Sequence, residues 1–422
     1  MTTKSENSVA KDYLNYHEEY IKKYGPNTLV IMQVGSFYET YATETRGPKL
    51  SEIANMLNII CTRKDKSIQE ISEKNPYLMG FNMISSQKFI TLLINNGYTV
   101  VTIDQTGMTP KVKREVTNVY SPGTYIENIA SHNANYILCI YFEEEIQRTS
   151  GHLLCTGLSA IDLSTGKNYV YEAHSNNSDH KLALDETVRF INGLNPSEII
   201  IYYQPKKTGT PVDKLVSYLE INNTCYQVRT DIDKKYVKPT YQNEFLGKIY
   251  KDTGILSPVE YLGIDRMDYA RLSFVLLLEF AYEHNNKILT NIPKPEHYMD
   301  NNFMVLANNA IHQLNIVESN LYNENINCKY KCLFDVVNNA STPMGKRFLK
   351  DRIVSPLVSH IELNTIYNHT DELIHNDRYL HIEANLKSIP DIERIVRKMS
   401  VSMIHPYELA NMIECVNDVL EI

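Results

Sequence analysis

The chain has 422 residues, enough for about three domains, and combines 43% hydrophobic with 22% charged residues at a formal net charge of −8. This is the composition of an ordinary globular protein, and its charge excludes a generally basic nucleic-acid-binding surface while allowing a local basic groove. The seven cysteines are scattered and show no zinc-site spacing, so reduced thiols in an intracellular protein are expected.

The first predicted elements are a helix over Tyr13–Tyr24 and a buried strand over Leu29–Val34. A continuous apolar run without a helical period indicates the strand, and Gly35 is interpreted as the turn that ends it. Phe37 and Glu39 follow this turn. If the backbone stays extended, residues two positions apart point to the same side, so the ring and the carboxylate would face one partner.

Phe37 and Glu39 together suit a base pair that can be opened. An exposed Phe can wedge between stacked bases and kink a duplex, at a cost of roughly a few kcal/mol per unstacked step. Phosphates would repel the carboxylate, but a displaced base could donate a hydrogen bond to it. The alternative is a core Phe followed by a surface Glu, because aromatic residues near strand ends usually serve packing.

The rest of the first 125 residues predicts a small α/β unit. Ser85 and Ser86 are expected to cap a helix that ends at Gly97, and a strand over Tyr98–Ile103 follows. Basic residues in the loops suit phosphate contacts, which position a protein on nucleic acid without reading sequence; a solvated loop is the alternative for each. These candidate backbone-binding residues are Arg63, Lys64, Lys66, Lys111, Lys113 and Arg114.

Residues 126–290 predict a second α/β domain, in which three strands precede an alternation of helices and strands. The expected elements are strands over Tyr136–Phe142, Leu153–Ile161 and Asn168–Tyr171, a helix over Lys181–Asn192, a strand over Glu198–Tyr203, and helices over Val212–Leu219 and Ala270–Leu289. The order of these elements suggests an RNase H-like fold. In such a domain Asp162, with Asp185 and Glu186 nearby, could belong to a metal-dependent nuclease, although two-metal hydrolysis needs several converging carboxylates.

Residues 291–422 predict a helical region. Thr342 can cap a helix that has Pro343 at its first position. The residues expected to be buried on this helix are Met344, Phe348 and Leu349, and those expected in solvent are Lys346, Arg347 and Lys350. Two later apolar stripes predict core faces of a bundle. They consist of Ile392, Ile395, Val396 and Met399, and of Leu409, Met412, Ile413 and Val416.

Three stretches resemble the MutS family of DNA mismatch repair proteins. KYGPNTLVIMQVGSFYETY, residues 23–41, resembles the start of the family's mismatch-recognition domain, whose signature includes Gly-x-Phe-Tyr-Glu after a strand. AIDLSTG, residues 160–166, resembles its connector domain, and CLFDVVNNASTPMGKRFLK, residues 332–350, resembles its core domain. The resemblance implies an α/β mismatch-recognition domain over residues 1–125, an RNase H-like α/β connector over residues 126–290, and an incomplete all-α core (lever) domain over residues 291–422.

In that family the Phe stacks on a mispaired base from the minor groove and the Glu hydrogen-bonds to it, so the resemblance assigns these functions to Phe37 and Glu39. It implies double-stranded DNA with mismatched or unpaired bases as the partner, a homodimer at full length, and downstream repair factors. ATP and Mg are expected for a C-terminal ATPase domain. No phosphate-binding loop occurs in this sequence, so the chain itself is expected not to hydrolyse ATP. No catalytic, cofactor or metal site is expected in it.

Two departures from the family pattern keep an alternative open. Asn82 stands where the family has Pro, and Asn118 stands at a position that is commonly basic. A non-catalytic scaffold that kept the MutS fold and lost mismatch recognition would fit these changes. The polar N-terminus lacks a targeting signal and predicts an intracellular protein without membrane contact, of cytoplasmic, nuclear, viral or organellar origin.

Overall fold

The structure, a computed structural model, describes residues 9–106, 113–126, 133–147, 151–205, 209–221, 224–298, 303–304, 306, 310–317 and 330–421. The chain separates into two compact units. The first is Met1–Asn128 with Glu283–Asn285, and the second is Ile129–Tyr282 with Asn286–Ile422. The division into domains over residues 1–125, 126–290 and 291–422 stays a prediction beside this grouping.

A mixed sheet forms the centre of the first unit. Its strands are β1 (Thr28–Val34), β2 (Phe37–Ala42), β3 (Thr62–Arg63), β4 (Tyr77–Asn82), β5 (Thr99–Thr106) and β6 (Lys113–Tyr120). They lie in the order β3-β4-β2-β1-β5-β6. The β1–β5 pair is parallel and the other neighbouring strands are antiparallel. The ends of β1, β4 and β5 therefore meet the starts of β2 and β6 at one end of the sheet.

Helices cover both faces of this sheet. They are α1 (Val9–Tyr24), α2 (Leu50–Leu57) and α3 (Ser86–Asn95). Because side chains alternate along a strand, Val30 and Met32 pack on the α1 face while Leu29 and Ile31 pack on the α2 and α3 face. Each such fully buried apolar side chain contributes about 1.5–3 kcal/mol. The two cores make the sheet a firm base for its exposed end.

A two-residue turn joins β1 to β2 at that end. Val34 pairs with Phe37, which leaves Gly35 and Ser36 as the loop. Gly35 has a φ of +62°, and short hairpin loops favour glycine where φ is positive. Hydrogen bonds hold the turn on both sides: the Met83 amide donates to the Ser36 carbonyl at 3.0 Å, and the Gln33 side chain donates to the Gly35 carbonyl at 3.1 Å.

The second unit contains another sheet, followed by helices. Its strands are β7 (Tyr136–Gln147), β8 (Gly151–Asp162), β9 (Asn168–His174), β10 (Glu198–Tyr203), β11 (Cys225–Arg229) and β12 (Glu296–His297). They lie in the order β11-β10-β7-β8-β9-β12. The β7, β8 and β9 strands form an antiparallel meander, and β10 and β11 continue parallel to β7.

The helices of the second unit fall into two groups along the chain. The first group, interleaved with the sheet, is α4 (Leu182–Leu194), α5 (Val212–Leu219), α6 (Pro239–Ile249), α7 (Pro258–Leu262) and α8 (Asp268–His284). The second group is α9 (Ala310–Gln313), α10 (Leu333–Val337), α11 (Pro343–Val354), α12 (His360–Ile374), α13 (Arg378–Leu386), α14 (Ile392–Ser400) and α15 (Pro406–Glu421). A mixed α/β region is thus followed by a helical region, as predicted.

Several individual elements are confirmed and one is shorter than predicted. The strand over Glu198–Tyr203 and the helix over Val212–Leu219 have the predicted bounds. Thr342 accepts a hydrogen bond from the Gly345 amide and Pro343 begins α11. The helix predicted to reach Leu289 ends at His284, and a 3₁₀ turn over Asn286–Leu289 follows. Asparagines at positions 285 and 286 favour this break, because their side chains compete for backbone hydrogen bonds.

The predicted cap of α3 is wrong. Neither Ser85 nor Ser86 provides a capping hydrogen bond, and the Ser85 hydroxyl donates to the Asn82 carbonyl at 3.0 Å. A 3₁₀ turn over Met83–Ser85 precedes the helix, so the cap lies earlier in the chain. The Asn82 side chain accepts from the Ile84 amide at 3.0 Å.

Two predictions for α11 are also wrong. Arg347 is buried, and its guanidinium donates to Asp391 at 2.6 and 2.7 Å and to Glu393 at 2.6 Å. Phe348, expected in a core, is 66% exposed. Consecutive helical residues point about 100° apart, so the side of α11 that presents Arg347 to these carboxylates turns Phe348 away.

The two apolar stripes only partly form a core among the described residues. Ile395 is buried. Five other members of the stripes are exposed: Val396, Met399, Leu409, Ile413 and Val416. The side of α14 that faces the rest of the second unit carries Ile395 and the buried Arg397, so the stripe is rotated relative to the prediction.

Candidate functional site

The site predicted around residues 37–39 lies at the end of the first sheet where β1 passes into β2. Phe37 is the first residue of β2 and pairs with Val34 on one side and Asn82 on the other. Its side chain is 46% exposed, so the ring is not part of the domain core. The extended backbone of β2 places Phe37, Glu39 and Tyr41 on the same face, the one that α1 covers further along the strand.

Glu39 is half-buried and has a fixed neighbour on its own strand. It lies between Met32 of β1 and Gly80 of β4. The Tyr41 hydroxyl donates a hydrogen bond to its Oε2 atom. Among the described residues no other group donates a hydrogen bond to this carboxylate. The carboxylate is therefore oriented before any ligand arrives, and it keeps capacity to accept another hydrogen bond.

The electrostatic environment keeps this tyrosine a donor. Burial, followed by the hydrogen bond to Glu39 and the charge of Glu39, raises the pKa of Tyr41 well above its usual value. The Arg114 guanidinium acts in the opposite direction, which places its positive charge near the same face. At neutral pH the Tyr41 phenol is protonated and Glu39 is the acceptor of the pair.

Two of the predicted basic residues lie at the same end of the sheet. Lys113 begins β6 and is exposed, and Arg114 pairs with Gln105. Since β6 is three strands from β2, Lys113 and Arg114 lie about 15 Å across the sheet from Phe37. Arg114 is half-buried, and it lines a depression with four residues of α1: Asp12, Asn15, Tyr16 and Glu19.

The structure does not bring the other basic residues to Phe37. Arg63 pairs with Tyr77, which pairs with Ala42 at the far end of β2, about 17 Å along the strand from Phe37. The Arg63 guanidinium donates to the Gln69 carbonyl at 3.3 Å. Lys64 and Lys66 are exposed in the loop that follows Arg63. Lys111 lies outside the described residues.

Two further residues were not singled out from sequence: Tyr41, whose hydroxyl reaches Glu39 from farther along β2, and Ile84, which lies at this end of the sheet. Tyr41 continues the period-two pattern of Phe37 and Glu39, so extending the strand pattern by one step would have found it. Ile84 is 94% exposed and lies two residues beyond Asn82, the partner of Phe37 in β4. Its signal was an apolar pair, Met83 and Ile84, in a short turn between Asn82 and Ser85.

The carboxylates considered for a nuclease serve separate local contacts. Asp162 accepts from the Ser164 amide and hydroxyl, Asp185 accepts from Tyr218, and Glu186 accepts from Tyr171 and Arg189. Within the described part of the chain no group of three or more His, Cys, Asp or Glu residues could hold a metal ion. None of the described helices has the length and apolar content to cross a membrane.

Comparisons with known proteins define the class of this molecule. The family model "MutS domain I" matches residues 15–128, which contain the first sheet and its exposed end. The model "MutS domain III" matches residues 309–422, which contain the helical region. The chain belongs to the MutS family of DNA mismatch repair proteins.

Individual relatives extend this similarity over almost the whole chain. A mutS homolog of Acanthamoeba polyphaga mimivirus is 38% identical over 95% of this chain and 38% of its own length. The DNA mismatch repair protein MutS of Caldanaerobacter subterraneus subsp. tengcongensis is 26% identical over 96% of this chain and 42% of its own length. The mitochondrial homolog of Sarcophyton glaucum is 22% identical over 94% of this chain and 43% of its own length.

The chain thus spans only about two fifths of the length of these relatives. A solved structure, the fowlpox virus resolvase with Holliday junction DNA, covers 35% of this chain and 97% of its own chain at 15% identity. Its TM-score is 0.22, too low to carry a conclusion about the fold.

Proposed function

We propose that this chain recognises mismatched or unpaired bases in double-stranded DNA, with Phe37 as the wedge and Glu39 as the hydrogen-bond acceptor for the displaced base. The observation that carries the proposal is an exposed aromatic ring beside an oriented carboxylate at the end of a sheet, in the region that matches MutS domain I. A mispaired step unstacks and bends more cheaply than a paired one, and this difference in deformation energy supplies the discrimination.

Each of the two residues favours the mismatched duplex in its own way. Phe37 can stack on a base only where the step opens, and such stacking is worth about 1–3 kcal/mol. Glu39 presents negative charge to the duplex, which disfavours binding unless a displaced base donates a hydrogen bond to it. Ile84, exposed nearby, would add apolar contact surface at the same end.

The basic residues are proposed to contact the DNA backbone and to contribute equally to matched and mismatched duplexes. Lys113 and Arg114 would contact phosphates at the same end of the sheet as Phe37, about 15 Å across the sheet from it. Arg63, Lys64 and Lys66 would contact phosphates farther along the duplex, and Lys111 belongs to the same proposal from its sequence position. Each lost phosphate contact should reduce the slope of log affinity against log salt by about 0.9.

The finer labels for the rest of the chain are proposals too. An RNase H-like connector is supported by the β7-β8-β9 meander continued by parallel β10 and β11. A core (lever) domain is supported by the helical region that matches MutS domain III. For the whole protein we propose an intracellular homodimer that uses ATP and Mg and acts with downstream repair factors, properties assigned to no residue of this chain.

The test is the ratio of affinities of the full-length protein for a mismatched and a matched duplex of otherwise identical sequence. Phe37→Ala should weaken mismatch binding by roughly five- to 150-fold, because about 1–3 kcal/mol of stacking is lost, and should change matched-duplex binding little. Glu39→Ala should tighten matched-duplex binding, because a repulsive charge is removed.

Tyr226→Ala is the matched control, since Tyr226 is also an exposed aromatic residue on a strand, but in the second sheet. It should leave the ratio unchanged. Unchanged discrimination in Phe37→Ala would remove the wedge from the mechanism. Absence of DNA binding by the intact protein would favour the scaffold alternative.

A further inference from the structure

Strand β2 carries two tyrosine–carboxylate hydrogen bonds on opposite faces of the sheet. The Tyr41 hydroxyl donates to Glu39 on the α1 face. The Tyr38 hydroxyl donates to Asp104 of β5 at 2.6 Å on the other face. The two pairs are alike in chemistry, but only the first contains a residue of the proposed DNA contact.

Tyr41 is held firmly enough to act as a fixed donor. It is 2% exposed, and its ring meets the Tyr13 ring of α1 edge-on, with centroids 5.5 Å apart and planes at 68°. Tyr13 is fixed in turn, because its hydroxyl donates to the Val30 carbonyl at 2.9 Å. The Tyr41 hydroxyl therefore has little freedom to follow Glu39 if the carboxylate moves away.

Glu39 has no comparable support of its own. Its side chain has three rotatable bonds, its neighbour in β4 is Gly80, which has no side chain, and Tyr41 is its hydrogen-bond donor among the described residues. Without that donor the carboxylate would sample several rotamers at the exposed end of the sheet.

We propose that Tyr41 is a positioning residue for mismatch discrimination: its hydroxyl holds one carboxylate oxygen of Glu39 so that the other is presented to the DNA. This inference rests on the proposed function. A fixed carboxylate penalises a matched duplex, which offers it no donor, and rewards a displaced base without a further ordering cost. A mobile carboxylate does both less well, because it can turn away from the matched duplex and must be ordered by the mismatched one.

The experiment compares Tyr41→Phe with Tyr38→Phe in the full-length protein. Both changes remove one hydroxyl and one hydrogen bond to a carboxylate from β2, and both keep the buried ring. Tyr41→Phe should lower the ratio of mismatched to matched affinity by roughly two- to tenfold, the effect expected for releasing one ordered side chain. Both variants should lower thermal stability by a similar amount, but Tyr38→Phe should leave the affinity ratio unchanged.

A double-mutant cycle shows whether the effect passes through Glu39. In a Glu39→Ala background, Tyr41→Phe should cause no further change in the ratio, because the group that it positions is gone. An equal effect in both backgrounds would overturn the inference, as would a ratio that Tyr41→Phe leaves at the unmutated value.

These outcomes are separate from failure of the proposed function. If Phe37→Ala and Glu39→Ala themselves leave the ratio unchanged, the proposed function fails and the positioning inference fails with it. If those two variants lower the ratio and Tyr41→Phe does not, the proposed function stands and only the positioning inference is wrong.

Discussion

Buried polar side chains set the chemistry of the first unit at the scale of single residues. Tyr41 and Tyr38 donate to carboxylates, and burial raises the pKa of both phenols, so neither releases its proton near neutral pH. His17 behaves in the opposite sense. It is 1% exposed in α1 and stacks on Tyr13, and burial lowers its pKa to about 4.

His17 predicts an acid-sensitive first unit. Between pH 6.5 and about 4 the unfolded chain binds a proton at this residue that the folded chain does not, so stability falls as the pH decreases. From pH 7 to pH 5 the free energy of unfolding should fall by about 2 kcal/mol from this residue alone. Hydrogen exchange of the α1 amides, followed against pH in the full chain, measures this change.

His17→Phe keeps a ring beside Tyr13 but cannot titrate, so it should flatten that pH dependence. The exposed His360 at the start of α12 provides the control, and His360→Phe should leave the dependence as it is. An equally steep loss of protection in His17→Phe would show that other groups cause the acid sensitivity.

At the scale of elements, the β2–β4 pairing decides where Glu39 lies. Gly80 is opposite Glu39, and a Cβ atom at position 80 would lie 2.9 Å from the Tyr38 carbonyl oxygen and 3.4 Å from the Glu39 Cγ atom. The first distance is shorter than side-chain carbons normally allow, and the obstructing atom belongs to the backbone. The two strands can approach this closely because position 80 is a glycine.

Gly80→Ala should therefore lower the free energy of unfolding by about 1–3 kcal/mol and reduce mismatch discrimination as β2 shifts. Gly247→Ala in α6 is the control, because the added Cβ would lie at an ordinary contact distance, 3.6 Å from Pro258 Cγ. Alanine favours a helix more than glycine does, so this variant should be more stable by about 1 kcal/mol. Urea unfolding of both variants tests this contrast. Equal stability of Gly80→Ala and the unmutated protein would show that the strands tolerate the extra carbon.

Elements with strong apolar patterns could be predicted from the sequence, and weakly patterned ones could not. The strand Glu198–Tyr203 is buried along its whole length, and its predicted bounds agree with the structure. The strand Lys113–Tyr120 could not be predicted, because it lies at a sheet edge, begins with charged residues and has no continuous apolar run. The predictions for Ser85 and Arg347 are wrong for another reason. Ser85 bonds to Asn82 within a 3₁₀ turn, and Arg347 bonds to Asp391, which is distant in sequence; neither contact has a local apolar pattern.

At the scale of the whole molecule, Arg397 joins the helical region to the second sheet within one compact unit. It is buried at 4% exposure in α14. Its guanidinium donates to the carbonyls of Leu163 at 3.1 Å and Thr290 at 2.6 Å, and also to the carbonyl of Ile288. The cost of this burial appears in its pKa, which is lowered to about 10.

Arg397→Met should weaken this junction, because it keeps a long side chain but leaves buried carbonyls without donors. We expect a loss of about 3 kcal/mol in the free energy of unfolding and faster hydrogen exchange over α14 and α15. Arg378→Met, at an exposed position in α13, is the control and should change neither. Exchange over α14 that matches the unmutated protein would contradict the account of the junction.

The candidate site was predictable from sequence only as far as local geometry reaches. The positions of Phe37 and Glu39 follow from one strand and its period of two. The approach of Arg114 to their face, and the separation of Arg63 from it, depend on the strand order β3-β4-β2-β1-β5-β6, which no local pattern encodes. Family resemblance covers more of the chain than local geometry does, because two separate regions, residues 15–128 and 309–422, match domains of the same family.

The central claim is that the ring at position 37 enters the duplex at the mispaired step. Replacing Phe37 with a photoreactive benzoylphenylalanine and irradiating the full-length protein on a duplex with one mismatch tests this directly. The account predicts crosslinks confined to the mispaired bases and their immediate neighbours, and none at that position in the matched duplex. Crosslinks spread evenly along both duplexes, or absent from the mismatch, would contradict it.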